Sequence, residues 1–152
     1  MTAALHIHKA EFRDVETLAK FNVQMAKETE NKDLDLDTVI LGAKAIIKDP
    51  HKGFYLVAEL KGEMVGQAMV TYEWSDWRNQ YFLWLQSVFV PESHRKQGIF
   101  TALYLHLVDL ARYRKDIAGL RLYVEHNNLP AQQTYERMGM YNPGYRMYEV
   151  LL

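Results

Sequence analysis

The sequence predicts an α/β protein with a mixed, mostly antiparallel central sheet flanked by helices. Segments with strand periodicity and segments with helical periodicity follow one another in the order β-α-α-β-β-β-α-β-α-β-β. Lys61-Gly62 is a hairpin turn signal between two strand-like runs, which indicates antiparallel neighbours. The sequence contains no repeat, linker or low-complexity tract, and its length suits one domain. We therefore expect residues 1–152 to form a single domain.

The predicted order begins with an alternating strand over residues 5–10. Asp14 stands where an N-cap belongs, and apolar residues at helical spacing then predict a helix towards Glu28. An acidic stretch ends this helix, and a second helix is expected over 39–47, stopped before Pro50. The remaining predicted elements are strands over 54–60, 64–73 and 81–90, a helix over 98–115, a strand over 120–125, and a helix after Asn128 that Gly139 closes, followed by two last strands that turn at 142–144.

Composition excludes several classes of protein. The 18 basic and 19 acidic residues give a net charge of −1, which offers no general attraction to nucleic acid or to a membrane surface. The absence of cysteine excludes disulfides, thiolate nucleophiles and cysteine-based metal sites, and it suits the cytoplasm. The most apolar run, over 81–90, is too short to span a bilayer. We expect a cytoplasmic protein with no metal site, no nucleic-acid partner and no membrane anchor.

The stretch over 87–103 combines a buried strand, a short basic loop and a helix with glycine in its first turn. Backbone N–H groups and the positive end of the helix would meet two cationic side chains, Arg95 and Lys96, at one point. Such a point suits a pyrophosphate, so the pattern predicts a phosphorylated cofactor. An ordinary basic loop before a core helix is the alternative interpretation.

Two motifs resemble those of the GCN5-related N-acetyltransferase family. The spacing Arg95-x-x-Gly98-x-Phe100 is similar to the family's acyl-CoA-binding loop, although the family usually has glycine or alanine where Phe100 stands. About thirty residues later, Asn128-x-x-Ala131 opens a helix that carries a tyrosine, which resembles the family's second hallmark. The resemblance implies the acyl-CoA N-acyltransferase fold, acetyl-CoA as the cofactor, and transfer of an acetyl group to an amine.

The resemblance also implies roles for individual residues. Tyr135 matches the tyrosine that faces the thioester sulfur, where a phenol with a pKa of about 10 can protonate a thiolate with a pKa of about 8.5. Tyr135 could instead pack as one more aromatic residue, and Asn128 could serve only as a helix N-cap. Phe100 either turns its ring onto the core or moves the helix start away from the diphosphate. The predicted cofactor-binding residues are Val88, Phe89, Val90, Arg95, Lys96, Gln97, Gly98, Ile99, Phe100, Thr101, Asn128 and Ala131.

The amine acceptor has weaker signals in the sequence. Candidates for binding it are acids, tryptophans and one polar strand residue, namely Glu28, Glu73, Trp74, Trp77 and Gln86. Carboxylates and indole faces attract a cationic amine. Each acid could equally be solvated, and the tryptophans could cover a sheet edge or a dimer surface. The segment over 85–87 lacks the two carboxylates that polyamine acetyltransferases of this family carry, so no general base is assigned.

The expected function is transfer of an acetyl group from acetyl-CoA to a primary amine of a small molecule, by direct attack in a ternary complex. The absence of a cysteine that could hold the acyl group favours this route. The alternatives are a protein amine as acceptor, or an acyl-CoA-binding sensor without turnover. Because the family often forms dimers, we also expect a homodimer, in which residues 145–152 of two subunits could pair.

Overall fold

The computed structural model describes residues 4–152 and confirms the predicted fold class. The chain divides into two compact units, the first ending at Leu122 and the second covering Tyr123–Leu152. The elements of the first unit are β1 (His6–Lys9), α1 (Val15–Glu30), α2 (Leu36–Lys48), β2 (Phe54–Leu60), β3 (Glu63–Ser75), β4 (Gln80–Phe89), α3 (Ile99–Tyr113) and β5 (Ile117–Arg121). A short 3₁₀ turn, Phe12–Asp14, precedes α1, and a second, Glu92–His94, lies in the loop between β4 and α3.

The five strands form one sheet in the order β1-β2-β3-β4-β5. Neighbours are antiparallel from β1 to β4, whereas β5 runs parallel to β4. A parallel neighbour requires a crossover connection, and α3 supplies it. Within residues 4–152, none of the helices is both long and apolar enough to pass through a bilayer.

The two faces of the sheet carry separate cores. The core on the α3 side includes Phe54, Leu56, Val70, Leu83, Leu85, Ile99, Leu103 and Leu107. The core on the side of α1 and α2 comprises Val15, Leu18, Ala43, Ile46, Tyr55 and Val57. Gly66 lets α3 pack closely on β3 in the first of these cores, since a Cβ there would lie 2.7 Å from Cγ2 of Ile99. The faces follow the alternation of side chains along β2, as expected for a sheet covered on both sides.

The bounds predicted for the fifth strand, 120–125, are wrong. The observed strand begins earlier, at Ile117, passes through Gly119 and ends at Arg121. A Cβ at Gly119 would lie 3.2 Å from Cε1 of Phe82, so the glycine lets β5 lie close beside β4. Gly119 is therefore an interior residue of the strand.

The second unit contains one helix, α4 (Leu129–Arg137), which follows Asn128 as predicted. The prediction of two last strands is wrong, because residues 138–152 form no strand. The chain bends at 142–144, where the Gly144 N–H donates to Oδ1 of Asn142 at 2.8 Å. A strand also needs a ladder partner, and the side chains beyond the bend are exposed, to 88% at Tyr148.

Candidate functional site

The loop between β4 and α3 contains two residues with a left-handed backbone. Lys96 has a φ of 62° and Gly98 a φ of 77°. A Cβ at Gly98 would meet no atom within 4 Å, so the backbone conformation, and not space, requires glycine there. Right-handed and left-handed residues in succession can direct neighbouring N–H groups into one concavity, which is how backbone nests bind anions. The loop thus has a backbone suited to an anion.

The N-terminus of α3 has no side-chain cap. The Ala102 N–H donates the first helical hydrogen bond, to the Gly98 carbonyl at 3.0 Å. Gly98 is the N-cap residue and offers no side chain, and the first turn contains no acidic residue. The positive end of this 15-residue helix is therefore not neutralised by its own first turn. An anionic group is the partner that such an end favours.

Phe100, where the resemblance shows a departure, turns its ring onto the core. Its side chain is half-buried and packs against the cluster on the α3 side of the sheet. The ring also stacks on Tyr104, with 6.3 Å between the ring centroids. Since α3 still begins at Ile99, directly after Gly98, the larger side chain does not displace the helix start.

Arg95 and Glu28, predicted to bind cofactor and acceptor respectively, form an ion pair with each other. The Arg95 NH2 group lies 2.6 Å from Oε2 of Glu28, and Nε of Arg95 donates to the Val90 carbonyl at 2.8 Å. The hydrogen bond from Arg95 holds the pKa of the Glu28 carboxyl below its usual range. The charge of Arg95 is thus balanced in this structure, while Lys96 is exposed.

Strand β4 bulges just before this loop. Ser87 and Val88 together oppose Ala68 of β3, and Ser87 has a left-handed φ of 48°. A bulge leaves its extra residue out of the ladder, which makes backbone groups available for other partners. The side chains of Val88 and Val90 are half-buried, and Phe89 is buried. The strand edge predicted to bind the cofactor arm therefore contains a bulge that the sequence did not predict.

The bulge is backed by polar side chains that sequence reasoning missed. Gln67 is fully buried, and its Nε2 donates to the Ser87 carbonyl at 3.1 Å and to Oδ1 of Asn22 at 2.8 Å. Nδ2 of Asn22 donates to the Tyr55 hydroxyl at 3.0 Å. Burial raises the pKa of Tyr55, against the effect of its hydrogen bonds to Asn22 and Ser87. The available signal was a glutamine in the middle of the apolar run over 64–70.

Glu73 belongs to a cluster on the sheet face opposite α3. Nε1 of Trp84 donates to Glu73 at 2.8 Å, and NH1 of Arg121 donates to the same carboxylate at 3.0 Å. The bond from Trp84, followed by those from Arg121, holds the pKa of Glu73 below its usual range. Arg121, whose guanidinium lies 3.7 Å from the Phe82 ring centroid, was not predicted. Glu73 is ionised here, and Arg121 balances its charge.

The other acceptor candidates differ in exposure. Gln86 is half-buried, and its Nε2 donates to Oγ1 of Thr71 at 2.6 Å. Trp74 is 52% exposed and meets the Tyr81 ring edge-on, with 4.9 Å between centroids. Trp77, in the turn after β3, is 87% exposed. A ring this exposed in a turn is available to a ligand or to another protein surface.

A cavity of about 440 Å³ lies between the outer face of α1 and the segment over 32–36. Its lining includes Glu28 together with Lys20, Lys27, Lys32 and apolar side chains such as Leu34. The lining carries three lysines and two acids, with Lys27 paired to Asp33 at 3.1 Å, so the cavity has no excess negative charge to select a cationic amine.

The second unit carries the other predicted site residues. Oδ1 of Asn128 accepts the Ala131 N–H at 3.2 Å, so Asn128 caps α4 and its amide nitrogen is the atom that could donate to a ligand. Tyr135 is half-buried, and burial raises the pKa of its phenol above the ordinary value of 10.0. Tyr135 therefore keeps its proton throughout the neutral pH range, as a proton donor must.

Comparisons with known proteins point in one direction. Residues 7–140 match the profile of the acetyltransferase (GNAT) family. The chain is similar to the solved structure of "a possible acetyltransferase from Clostridium difficile 630", with 45% identity, a TM-score of 0.92 and coverage of 97% of each chain. A comparison with curated proteins gives no match.

Two more distant likenesses concern the fold alone. A "predicted acetyltransferase with acetyl-CoA from Clostridium acetobutylicum" is 15% identical, with a TM-score of 0.78 over 97% of this chain and 96% of that one. Glucosamine-6-phosphate N-acetyltransferase from Arabidopsis thaliana is 17% identical, with a TM-score of 0.75 over 97% of this chain and 98% of that one.

Proposed function

Because the chain belongs to the acetyltransferase (GNAT) family and is an acyltransferase, we propose that it transfers the acetyl group of acetyl-CoA to a primary amine of a small molecule. The observation that carries the proposal is the uncapped N-terminus of α3 behind the left-handed Gly98. That arrangement is suited to a diphosphate, and acetyl-CoA contains one. Lys96 and the backbone over 96–101 bind the phosphates, while Val88 and Val90 offer a strand edge to the amide-containing arm. Asn128, Ala131 and the rest of the predicted cofactor set belong to the same proposal.

The reaction proceeds by direct attack in a ternary complex. Acetyl-CoA supplies an activated acyl thioester, and the amine nitrogen forms a bond to its carbonyl carbon while the carbon–sulfur bond breaks. The Val88 N–H donates to the carbonyl oxygen as negative charge develops there. Tyr135 gives its proton to the departing thiolate and regains one from solvent, and the amine loses one proton to solvent. An amine with a pKa of about 10.4 must first become neutral, which costs about 4.6 kcal/mol at pH 7.

The acceptor is a small amine that uses the polar face of β3 and β4. Glu73 and Gln86 offer hydrogen-bond acceptors there, and the exposed Trp77 in the turn after β3 offers an indole face for an ammonium group. Trp74 follows Glu73 in β3 and lies on the opposite face, where its ring meets Tyr81. Since Glu73 is paired with Arg121, this face carries both signs of charge. That pairing suits an amine with an anionic group, such as an amino acid or amino sugar derivative, better than a polyamine. Glu28 takes part in binding the acceptor only through its ion pair with Arg95.

We also propose that residues 1–152 act as one catalytic domain in the cytoplasm and that two copies form a homodimer. The support for the dimer is the apolar segment over 145–152, whose side chains are exposed in the single chain. Paired between two copies, these segments would satisfy their backbone groups and cover their side chains.

The test is a panel of small amines with detection of the free thiol of CoA. The wild type should turn over at least one amine. Tyr135→Phe should lower kcat about a hundredfold and leave the CoA dissociation constant within about twofold, since only the proton donor is lost. Tyr141→Phe, which removes an exposed hydroxyl from the same unit, is the matched control and should behave as wild type. Binding of acetyl-CoA with no turnover on peptides or small amines would instead identify a sensor.

A further inference from the structure

The polar network behind the β4 bulge can be oriented in only one way. The Ser87 carbonyl only accepts hydrogen bonds, so Gln67 must present its amide nitrogen to it, at 3.1 Å. The second N–H of that amide then donates to Oδ1 of Asn22, at 2.8 Å. Asn22 must in turn present Nδ2 to the Tyr55 hydroxyl, at 3.0 Å. One backbone carbonyl therefore sets the orientation of two buried amides.

This orientation leaves two unfavourable features in place. Oε1 of Gln67 has no hydrogen-bond partner among residues 4–152, although the residue is fully buried. A buried acceptor without a partner destabilises the fold. Ser87 keeps a φ of 48°, a conformation that residues with a Cβ rarely adopt. Strain and an unpaired buried group at the same point suggest that the contact serves function more than stability.

The Ser87 carbonyl and the Val88 N–H belong to the same peptide group. No cis peptide bond occurs in the described part of the chain, and in a planar trans peptide the C=O and N–H bonds point in opposite directions. A clamp on the Ser87 carbonyl, drawn inward by Gln67, therefore turns the Val88 N–H away from Gln67. Rotation of this peptide would break the Gln67 hydrogen bond.

We propose that Gln67 is a positioning residue, which clamps the Ser87 carbonyl and thereby aims the Val88 N–H at the oxygen of the acyl group. The inference rests on the proposed function, in which the Val88 N–H stabilises that oxygen. Gln67 itself touches neither cofactor nor acceptor. It acts through one peptide group, so its loss should affect the transition state more than cofactor binding.

Gln67→Met tests the proposal, because methionine is of similar size and cannot donate. We expect kcat to fall about tenfold or more with little change in KM for acetyl-CoA. The infrared band of the thioester carbonyl in bound acetyl-CoA should move towards its position in free acetyl-CoA, since a hydrogen bond is lost. Gln80→Met is the matched control, which makes the same change at a glutamine that donates to the Lys115 carbonyl at the other end of β4; its kcat should stay within about twofold of wild type.

A ligand-free measurement separates this inference from the proposed function. In Gln67→Met, the Val88 amide resonance and the Val88 N–H to Hα coupling should both change, because rotation of the released peptide changes the φ angle of Val88. If both stay at wild-type values, or if the folded variant keeps its kcat, the clamp is wrong even though acetyl-CoA binds. Absence of CoA binding by the wild type would overturn the proposed function, and with it the clamp's catalytic role.

Gln67→Glu is the second variant if methionine prevents folding. A protonated carboxyl has one O–H to donate to the Ser87 carbonyl, and a carboxylate has none. The ratio of variant to wild-type kcat should therefore fall as pH rises through the pKa of the new carboxyl. The neighbouring groups are neutral Asn22 from α1, Ser87 from β4 and Tyr55 from β2, whose raised pKa keeps it protonated in this range. A ratio that does not vary with pH would contradict the clamp.

Discussion

The side chain of Arg95 is shared between the Val90 carbonyl and the Glu28 carboxylate. Since Glu28 is ionised across the neutral range, the pair carries no net charge. The uncompensated positive charge of the loop then comes from exposed Lys96 and the end of α3. We therefore expect the affinity for a diphosphate to depend on how strongly Glu28 neutralises the charge of Arg95.

Glu28→Gln should tighten CoA binding by about threefold at low salt. The substitution removes a negative charge beside the loop and frees the Arg95 guanidinium for the phosphates. Calorimetric titration with CoA measures the change, and added salt should reduce it. Glu16→Gln, an exposed acid in the first turn of α1, is the control and should have no effect. Weaker binding in Glu28→Gln would mean that the ion pair holds Arg95 in its productive position.

Tyr55 makes a prediction about stability at high pH. Burial raises its pKa in the folded protein, so the unfolded chain loses this proton first, from about pH 10 upward. The stability due to the neutral phenol is thus complete below that pH and declines above it. Tyr55→Phe should lose less of its Tm between about pH 9 and pH 11 than the wild type loses. Tyr113→Phe, with an exposed hydroxyl, should follow the wild-type curve; a parallel decline for Tyr55→Phe would contradict the assignment.

At the scale of elements, the candidate site is presented by β4, the loop that follows it, and α3. The bulge ends the regular pairing of β4, and the left-handed Gly98 then turns the chain into α3. The same helix packs on β3 where Gly66 leaves room for Ile99. Its buried side therefore fixes the helix in place, and its N-terminus stays exposed.

Two glycine substitutions should act in opposite directions. Gly98→Ala places a Cβ on a residue with φ of 77° and should lower the free energy of unfolding by about 1–2 kcal/mol. Gly42→Ala, within α2 and with open space around the new Cβ, should raise it by about 0.5–1 kcal/mol. Denaturant unfolding measures both. A neutral Gly98→Ala would show that the loop does not need the left-handed conformation.

Local patterns predicted the elements whose limits are set within the chain segment itself. The strand predicted over 54–60 is confirmed because Gly53 and the Lys61-Gly62 turn bound a buried apolar run. The fifth strand was misplaced because its limits depend on how β5 lies against Phe82 of β4. A glycine can mark the end of a strand or permit close packing inside it, and a single sequence does not distinguish the two cases.

The sequence predicted those parts of the candidate site in which the residue type itself indicates a backbone conformation or a capping role. Gly98 and Asn128 have the conformational and capping roles that their residue types suggest. Gln67 stands out as a polar residue within the apolar run over 64–70, but its role could not be predicted, because it depends on a carbonyl twenty residues away in the next strand. The ion pair between Glu28 and Arg95 joins residues still farther apart in sequence, and only the packing of α1 beside β4 reveals it.

At the scale of the molecule, the segment over 145–152 is exposed and pairs with no strand among the described residues 4–152. Its side chains include two tyrosines, a methionine, a valine and two leucines, all largely exposed. Aromatic residues bury about 150–250 Å² each, so this segment could supply most of the roughly 800 Å² per partner that a standard interface requires. A second copy of the chain, bringing the same segment, is the partner we propose.

The wild type should therefore be a dimer in light scattering coupled to size exclusion. Tyr148→Asp should raise the dimer dissociation constant about tenfold or more, because it places a charge within the paired segments. Tyr113→Asp introduces the same charge at an equally exposed tyrosine of the first unit and should remain dimeric. A monomeric wild type at high micromolar concentration would contradict this assembly.

Calorimetric titration of the unmodified protein with CoA and with acetyl-CoA tests the central claim most directly. We predict saturable binding of both compounds at one site per chain, weakened by salt and by Gly98→Ala. If neither compound produces heat above dilution at millimolar concentration, the N-terminus of α3 is not a phosphate site and the proposed function is wrong.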